Sequence, residues 1–186
     1  ASPTFAAARL DRVRLRFAEY EASRHGHTGD VLAESADARR LREEMEGDIQ
    51  VVLAHAPYAR DKICAEGFLA FGQGDYGKAE ERLGEYLREA PEDGAARYWR
   101  GHALFHSGKL RDADSELTET LRMRPRDSLA LNDRGNVRSA LGKSELAIAD
   151  FDGALAISPG VAATLQNRGR ELRKILKLDD ALRDLD

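Results

Sequence analysis

Side chains capable of chemistry are few and scattered along the chain. His102 and His106 stand four apart, a helical spacing at which two imidazoles can share a metal ion. They belong to no HExxH arrangement and have no evident third ligand, so no metal site is expected. Cys64 is the only cysteine, which excludes an internal disulfide framework and a multi-cysteine zinc site. It would be a nucleophile only with a lowered pKa, and its neighbours Lys62 and Glu66 do not decide that. His25 and His27 flank Gly26 in the stretch HGHTGD, residues 25–30, which reads as a loop. Glu43, Glu44 and Glu46 read as a solvated helix face rather than an acid–base pair. No GxSxG, Walker, dinucleotide-binding or kinase motif occurs. The expectation is a chain that is not an enzyme and carries no cofactor.

Composition sets the frame for the elements that hold these residues. The 186 residues are 42% hydrophobic and 33% charged, with a formal net charge of -4. That is enough apolar material for a core in one domain or one short repeat array. No apolar run is long enough for a membrane-spanning helix. The negative balance argues against a nucleic-acid partner. The lone cysteine fits a reducing compartment, and no basic and apolar leader opens the sequence, so a cytoplasmic setting is expected.

The positioning elements show themselves through a period. Pro57, Pro91, Pro125 and Pro159 are each 34 residues apart. Gly67, Gly101, Gly135 and Gly169 keep the same spacing, as do Gly74, Gly108 and Gly142. Met45, Ala79, Ala113, Ala147 and Ala181 form another column. Ile49, Leu83, Leu117, Phe151 and Leu185 form a bulky one, and Leu53, Leu87, Leu121 and Leu155 a further one. A small residue such as Gly101 or Ala113 lets two helices approach closely. Gly74, Gly108 and Gly142 can take the left-handed conformation that ends a helix. Leu83 and Leu87 stand four apart on the buried face of the helix that follows. Proline then ends that helix or opens the next turn. Each block is thus a helix, a tight turn, a second helix and a short link, and such pairs bury their apolar faces only by stacking.

The blocks resemble tetratricopeptide repeats, whose period is 34 residues. The stretch FGQGDYGKAEERLGEYLREAPED, residues 71–93, is similar to the second half of that repeat. The resemblance implies an all-α fold, a right-handed α-solenoid of stacked antiparallel helix pairs with N-terminal capping helices. The blocks are 60–93, 94–127, 128–161 and a partial 162–186. The fourth has Leu176 where glycine is expected, and Asp186 falls about six residues short of where the block's second helix should end, so the parent protein is expected to continue. Arg138 stands at a usually aromatic place and Arg97 at a usually bulky apolar one, with Trp99 as a possible compensation.

Residues 1–59 form the expected cap, with 43–57 in repeat register. Phe5 to Arg24 reads as an amphipathic packing helix with Leu10, Val13, Phe17 and Tyr20 on one face, rather than a membrane anchor. Val31 to Ala56 reads as one long helix, since no glycine marks a turn near Arg40.

In proteins of this family the second, fifth, ninth and twelfth places of each block line a concave groove. By that resemblance the first block offers Asp61, Cys64, Phe68 and Phe71, and the second Ala95, Tyr98, His102 and Phe105. The third offers Leu129, Asn132, Asn136 and Ser139, and the fourth Ala163, Gln166, Arg170 and Arg173, with Lys174 alongside. The groove would grade from aromatic through amide-rich to basic. Asn132, Asn136 and Gln166 could hydrogen-bond a peptide backbone, and Arg170 and Arg173 could meet a carboxylate. Each buried aromatic anchor would contribute about 1.5–3 kcal/mol and an exposed ion pair only about 0–1, so the aromatics would set affinity. Binding near micromolar, about -8 kcal/mol, would follow. On this reading, replacing Phe68, Tyr98 and Phe105 together should abolish binding with circular dichroism unchanged. The alternative for Phe68 and Phe71 is packing under the N-terminal helix, and for Tyr98 and Phe105 contact with the adjoining block.

The two-carboxylate clamp of chaperone-tail receptors is lacking, because Cys64, Phe68, Tyr98 and His102 occupy its places. The asparagine ladder of sugar-transferring repeat enzymes is matched at Asn167 but not at Trp99 or Asp133. The functional expectation is a non-enzymatic interaction scaffold that holds a peptide or partner helix. The alternative is a recruiting or regulatory arm of a larger enzyme such as a glycosyltransferase. Self-association through the uncapped C-terminal end is a further possibility.

Overall fold

The computed structural model describes residues 3–25 and 36–175, all of its regular structure among them helical. In chain order the helices are α1 (Pro3–His25), α2 (Ala36–His55), α3 (Ala59–Gly72), α4 (Tyr76–Glu89), α5 (Gly94–His106), α6 (Leu110–Met123), α7 (Ser128–Ala140), α8 (Ser144–Ile157) and α9 (Ala162–Lys174). The fold class is the expected one, an all-α solenoid of antiparallel helix pairs with capping helices at its N-terminal end. None of these helices is long and apolar enough to cross a membrane. The chain divides into two compact units, Ala1–Ala96 and Arg97–Asp186.

The turn inside each hairpin is the same object three times. Gly74, Gly108 and Gly142 have φ of 76°, 74° and 73°, the left-handed region where a Cβ is penalised. The N–H of Asp75 then reaches back to Ala70 O, that of Lys109 to Leu104 O and that of Lys143 to Arg138 O, at 2.8–2.9 Å. This satisfies carbonyls that the ending helix would leave without partners.

The second glycine column meets the bulky column. A Cβ on Gly67 would stand 2.8 Å from Leu83 Cγ, one on Gly101 3.0 Å from Leu117 Cγ, and one on Gly135 2.5 Å from Phe151 Cε1. The large residue of the second helix therefore lies directly on the bare backbone of the first. Leu83, Leu117 and Phe151 are fully buried there.

The two departures from the repeat pattern are resolved by charge. Arg138 pairs with Asp114 at 3.0 Å and with Asp150 at 2.8 Å, and Arg134 joins Asp150 at 2.6 Å. Arg97 pairs with Glu116 at 2.9 Å, and Arg100 pairs with the same carboxylate. Asp150 is buried, and the two guanidiniums supply the hydrogen bonds that a buried carboxylate requires. Trp99 is buried edge-on to Tyr98, 5.0 Å between centroids.

At the N-terminal end α1 packs on α2 and α3. Leu10, Val13 and Phe17 are buried on one face, as the spacing predicts; the Tyr20 side chain lies outside the described residues. Arg9, Arg12 and Arg16 converge on Asp48 of α2 at 2.5–3.0 Å. α2 runs through Arg40 without a break. The segments that carry the HGHTGD loop after His25, the start of the expected long helix, and Leu176 with the rest of the fourth block lie outside the described residues.

Candidate functional site

In the first unit the expected groove places on α3, Asp61, Cys64, Phe68 and Phe71, are all buried. Phe68 has no exposed surface and Phe71 is 5% exposed. Phe17 of α1 sits against both, 5.7 Å from Phe68 and 5.6 Å edge-on from Phe71, and Tyr76 closes on Phe71 at 5.4 Å. These two aromatics thus take the second of the roles open to them, packing beneath the N-terminal helix. Cys64 is buried, and burial pushes its thiol up to about 12, so it stays protonated and un-nucleophilic through the neutral range. Burial also raises the Asp61 carboxyl, against the lowering influence of Arg60 and Arg14.

Arg14, which no motif singles out, stands at the centre of this cluster. Its Nη2 approaches Cys64 Sγ at 3.9 Å, its guanidinium lies 5.9 Å over the Phe68 ring, and it pairs with Asp93. Asp93 Oδ1 accepts the backbone N–H groups of Ala95 and Ala96 at 3.1 and 3.0 Å, capping the start of α5. Asp93 Oδ2 also accepts the Tyr86 hydroxyl at 2.9 Å. Burial comes first among the causes that raise the Tyr86 phenol, with Cys64 and Asp93 adding to it.

In the second unit the expected site residues divide. Tyr98 and His102 are buried, stacked with 6.0 Å between centroids and 13° between planes. The Tyr98 hydroxyl donates to Asp133 Oδ2 at 2.7 Å. Asn132 Nδ2 donates to Asp133 Oδ1 at 3.2 Å, and Asn132 Oδ1 accepts from Thr164 Oγ1 at 3.1 Å. A polar chain therefore ties α5, α7 and α9, and Asn132 is one of its links rather than a free amide. Asp133, read only as a mismatched ladder rung, is the residue that joins them. His102 and His106 do face each other, 4.8 Å apart and edge-on. Among the described residues no group of three or more metal-ligating side chains exists.

The remaining places reach solvent. Phe105 and Asn136 are half-buried, and Gln166, Arg170 and Arg173 are exposed. Arg170 donates to Asn167 Oδ1 at 3.2 Å. Lys174 pairs with Glu171 at 2.5 Å, and Ser139 donates to the same carboxylate at 2.5 Å. Glu171 is almost wholly buried. Burial acts to raise its carboxyl, but the hydrogen bonds from Lys174, Ser139 and Ser144 outweigh it and leave it lowered. Lys174 and Ser139 are thus engaged within the chain. Because Phe68 and Tyr98 are core residues, replacing them would damage packing as well as any groove.

Helical hairpins of constant length, each closed by the same left-handed glycine, define a helical-repeat protein. Within it, residues 70–132 match the family model described as tetratricopeptide repeat. No curated protein matches the chain in sequence. Among solved structures, one of MamA is similar at 20% identity, covering 83% of this chain and 92% of that one with a TM-score of 0.69. The YrrB structure, described as a tetratricopeptide-repeat protein with an unusual peptide-binding site, is similar at 20% identity, 80% and 77% coverage and TM-score 0.65. The first such domain of Spaghetti (RPAP3), bound to an HSP90 peptide, is similar at 21% identity, 63% and 93% coverage and TM-score 0.61. At these identities the likeness is one of fold.

Proposed function

We propose that the chain is a non-enzymatic interaction module whose second unit holds an extended peptide or partner helix along α7 and α9. The observation that carries this reading is that Gln166, Arg170 and Arg173 are exposed and Asn136 half-buried, while Tyr98 and His102 are buried. Amides supply both a donor and an acceptor to a peptide backbone, and arginines prefer a carboxylate. The expected ligand is therefore acidic at one end or ends in its own carboxylate. Two of the similar structures are described as peptide-binding, which fits the reading. The side chains at the chaperone-clamp places here are Cys64, Phe68, Tyr98 and His102, so the ligand chemistry differs from that clamp.

Selection from a random peptide library tests this. The wild-type chain should enrich acidic or carboxyl-terminal peptides, and the N136A/Q166A/R170A/R173A variant should lose that enrichment with its helical circular dichroism intact. Equal enrichment by both proteins would reject these places as the site.

A further inference from the structure

The inner-face places of α3 are covered by the chain's own α1, and the cover has a specific chemistry. Phe17 fills the aromatic place formed by Phe68 and Phe71. Arg14, three residues earlier and so on the same helix face, fills a cationic place beside Asp93 and Cys64 and over the Phe68 ring. Asp93 and Tyr86 are held in position independently of α1, since Asp93 caps α5 and accepts the Tyr86 hydroxyl. The seat is thus a fixed carboxylate and a pair of rings that read two side chains about 4.5 Å apart along a helix axis. The outward face of α1 contributes nothing to it; Leu15 there is 61% exposed.

We propose that this seat is a binding site for a partner helix presenting an arginine and, three residues on, an aromatic ring, and that α1 occupies it in cis as a tethered competitor. This goes beyond the reading of α7 and α9 and does not depend on it. Charge selects the partner: Asp93 demands a cation, and a guanidinium can meet the carboxylate and stack on Phe68 at once, which an ammonium does poorly. A tethered segment meets its own site at an effective concentration on the order of millimolar, so a helix supplied in trans binds weakly until α1 yields.

The probe is a synthetic peptide of residues 3–25 carrying Leu15→Ala. That change separates its mass from the protein's own segment without touching the seat. Fluorescently labelled probe is titrated by anisotropy into the wild-type chain and into the R14A/F17A variant. The variant, whose own α1 can no longer fill the seat, should bind at least about tenfold more tightly than wild type. A probe that itself carries Arg14→Ala and Phe17→Ala should bind neither protein. Equal affinity for both proteins, or no binding to a variant that keeps its helical circular dichroism, overturns the proposal. If R14A/F17A does not fold, hydrogen exchange on the wild-type chain decides. Saturating unlabelled probe must then speed exchange in α1 while α3 and α4 stay protected, and unchanged α1 exchange overturns it.

Discussion

In the first unit the four expected groove places, Asp61, Cys64, Phe68 and Phe71, lie buried; in the second, Tyr98 and His102 are buried too, whereas Leu129, Gln166, Arg170 and Arg173, at the corresponding places on α7 and α9, stay exposed. The backbone positions are equivalent, so the difference comes from side-chain chemistry. Two phenylalanines on one helix face are costly to leave in water, and α1 supplies Phe17 to cover them. Amides and arginines are well solvated and need no cover. The lesson is that a place which lines a groove by family resemblance stands open to a partner only where no other segment of the chain covers it.

The largest expected effect comes from removing that cover. Phe17→Ala should lower stability by about 3–5 kcal/mol, as truncation of a buried aromatic does. Arg173→Ala, at an exposed place of the second unit, should stay within about 0.5 kcal/mol. Urea denaturation followed by circular dichroism compares them, and similar losses for both would erase the contrast between covered and open places.

A second comparison concerns how tightly each hairpin closes. Gly135→Ala would set a Cβ 2.5 Å from a ring carbon of Phe151, whereas Gly101→Ala meets Leu117 Cγ at 3.0 Å. A rigid ring gives less than an aliphatic branch, so Gly135→Ala should cost about 1–3 kcal/mol and Gly101→Ala less. Thermal melts of the two variants read the order, and a reversed order would show that the ring has room to move.

The last effect, smallest near neutral pH and growing only in alkali, belongs to the first unit alone. Burial raises the Cys64 thiol from its ordinary 9.0 to about 12. The unfolded chain then loses the thiol proton at lower pH than the folded chain does. The stability from this group is full below pH 9 and falls as pH rises toward 12, with a limiting slope of about 1.4 kcal/mol per pH unit. The Cys64→Ala chain should show a shallower decline between these values in denaturation curves. An unchanged slope would mean that the thiol is not sheltered by α1.

Much of the fold was legible because the repeat writes it locally. The left-handed turns at Gly74, Gly108 and Gly142 and the pairing of Gly135 with Phe151 follow from short spacings within one block. The candidate site was legible only in outline. Arg138 looked like a misfit because its partners, Asp114 and Asp150, lie on two other helices. Asn132 looked available because Asp133 and Thr164, which engage it, have no motif of their own.

The sequence by itself determined the hairpin, its 34-residue length and the faces that must be buried, since each depends on residues within one or two turns of helix. The tertiary structure alone decided which inner places are closed and which remain open. That choice rests on contacts such as Arg14 with Cys64 and with Asp93, separated by 50 and 79 residues. No local spacing encodes such a pairing. It arises when α1, paired with α2 on one side, also covers the apolar face of α3 that would otherwise be left in water.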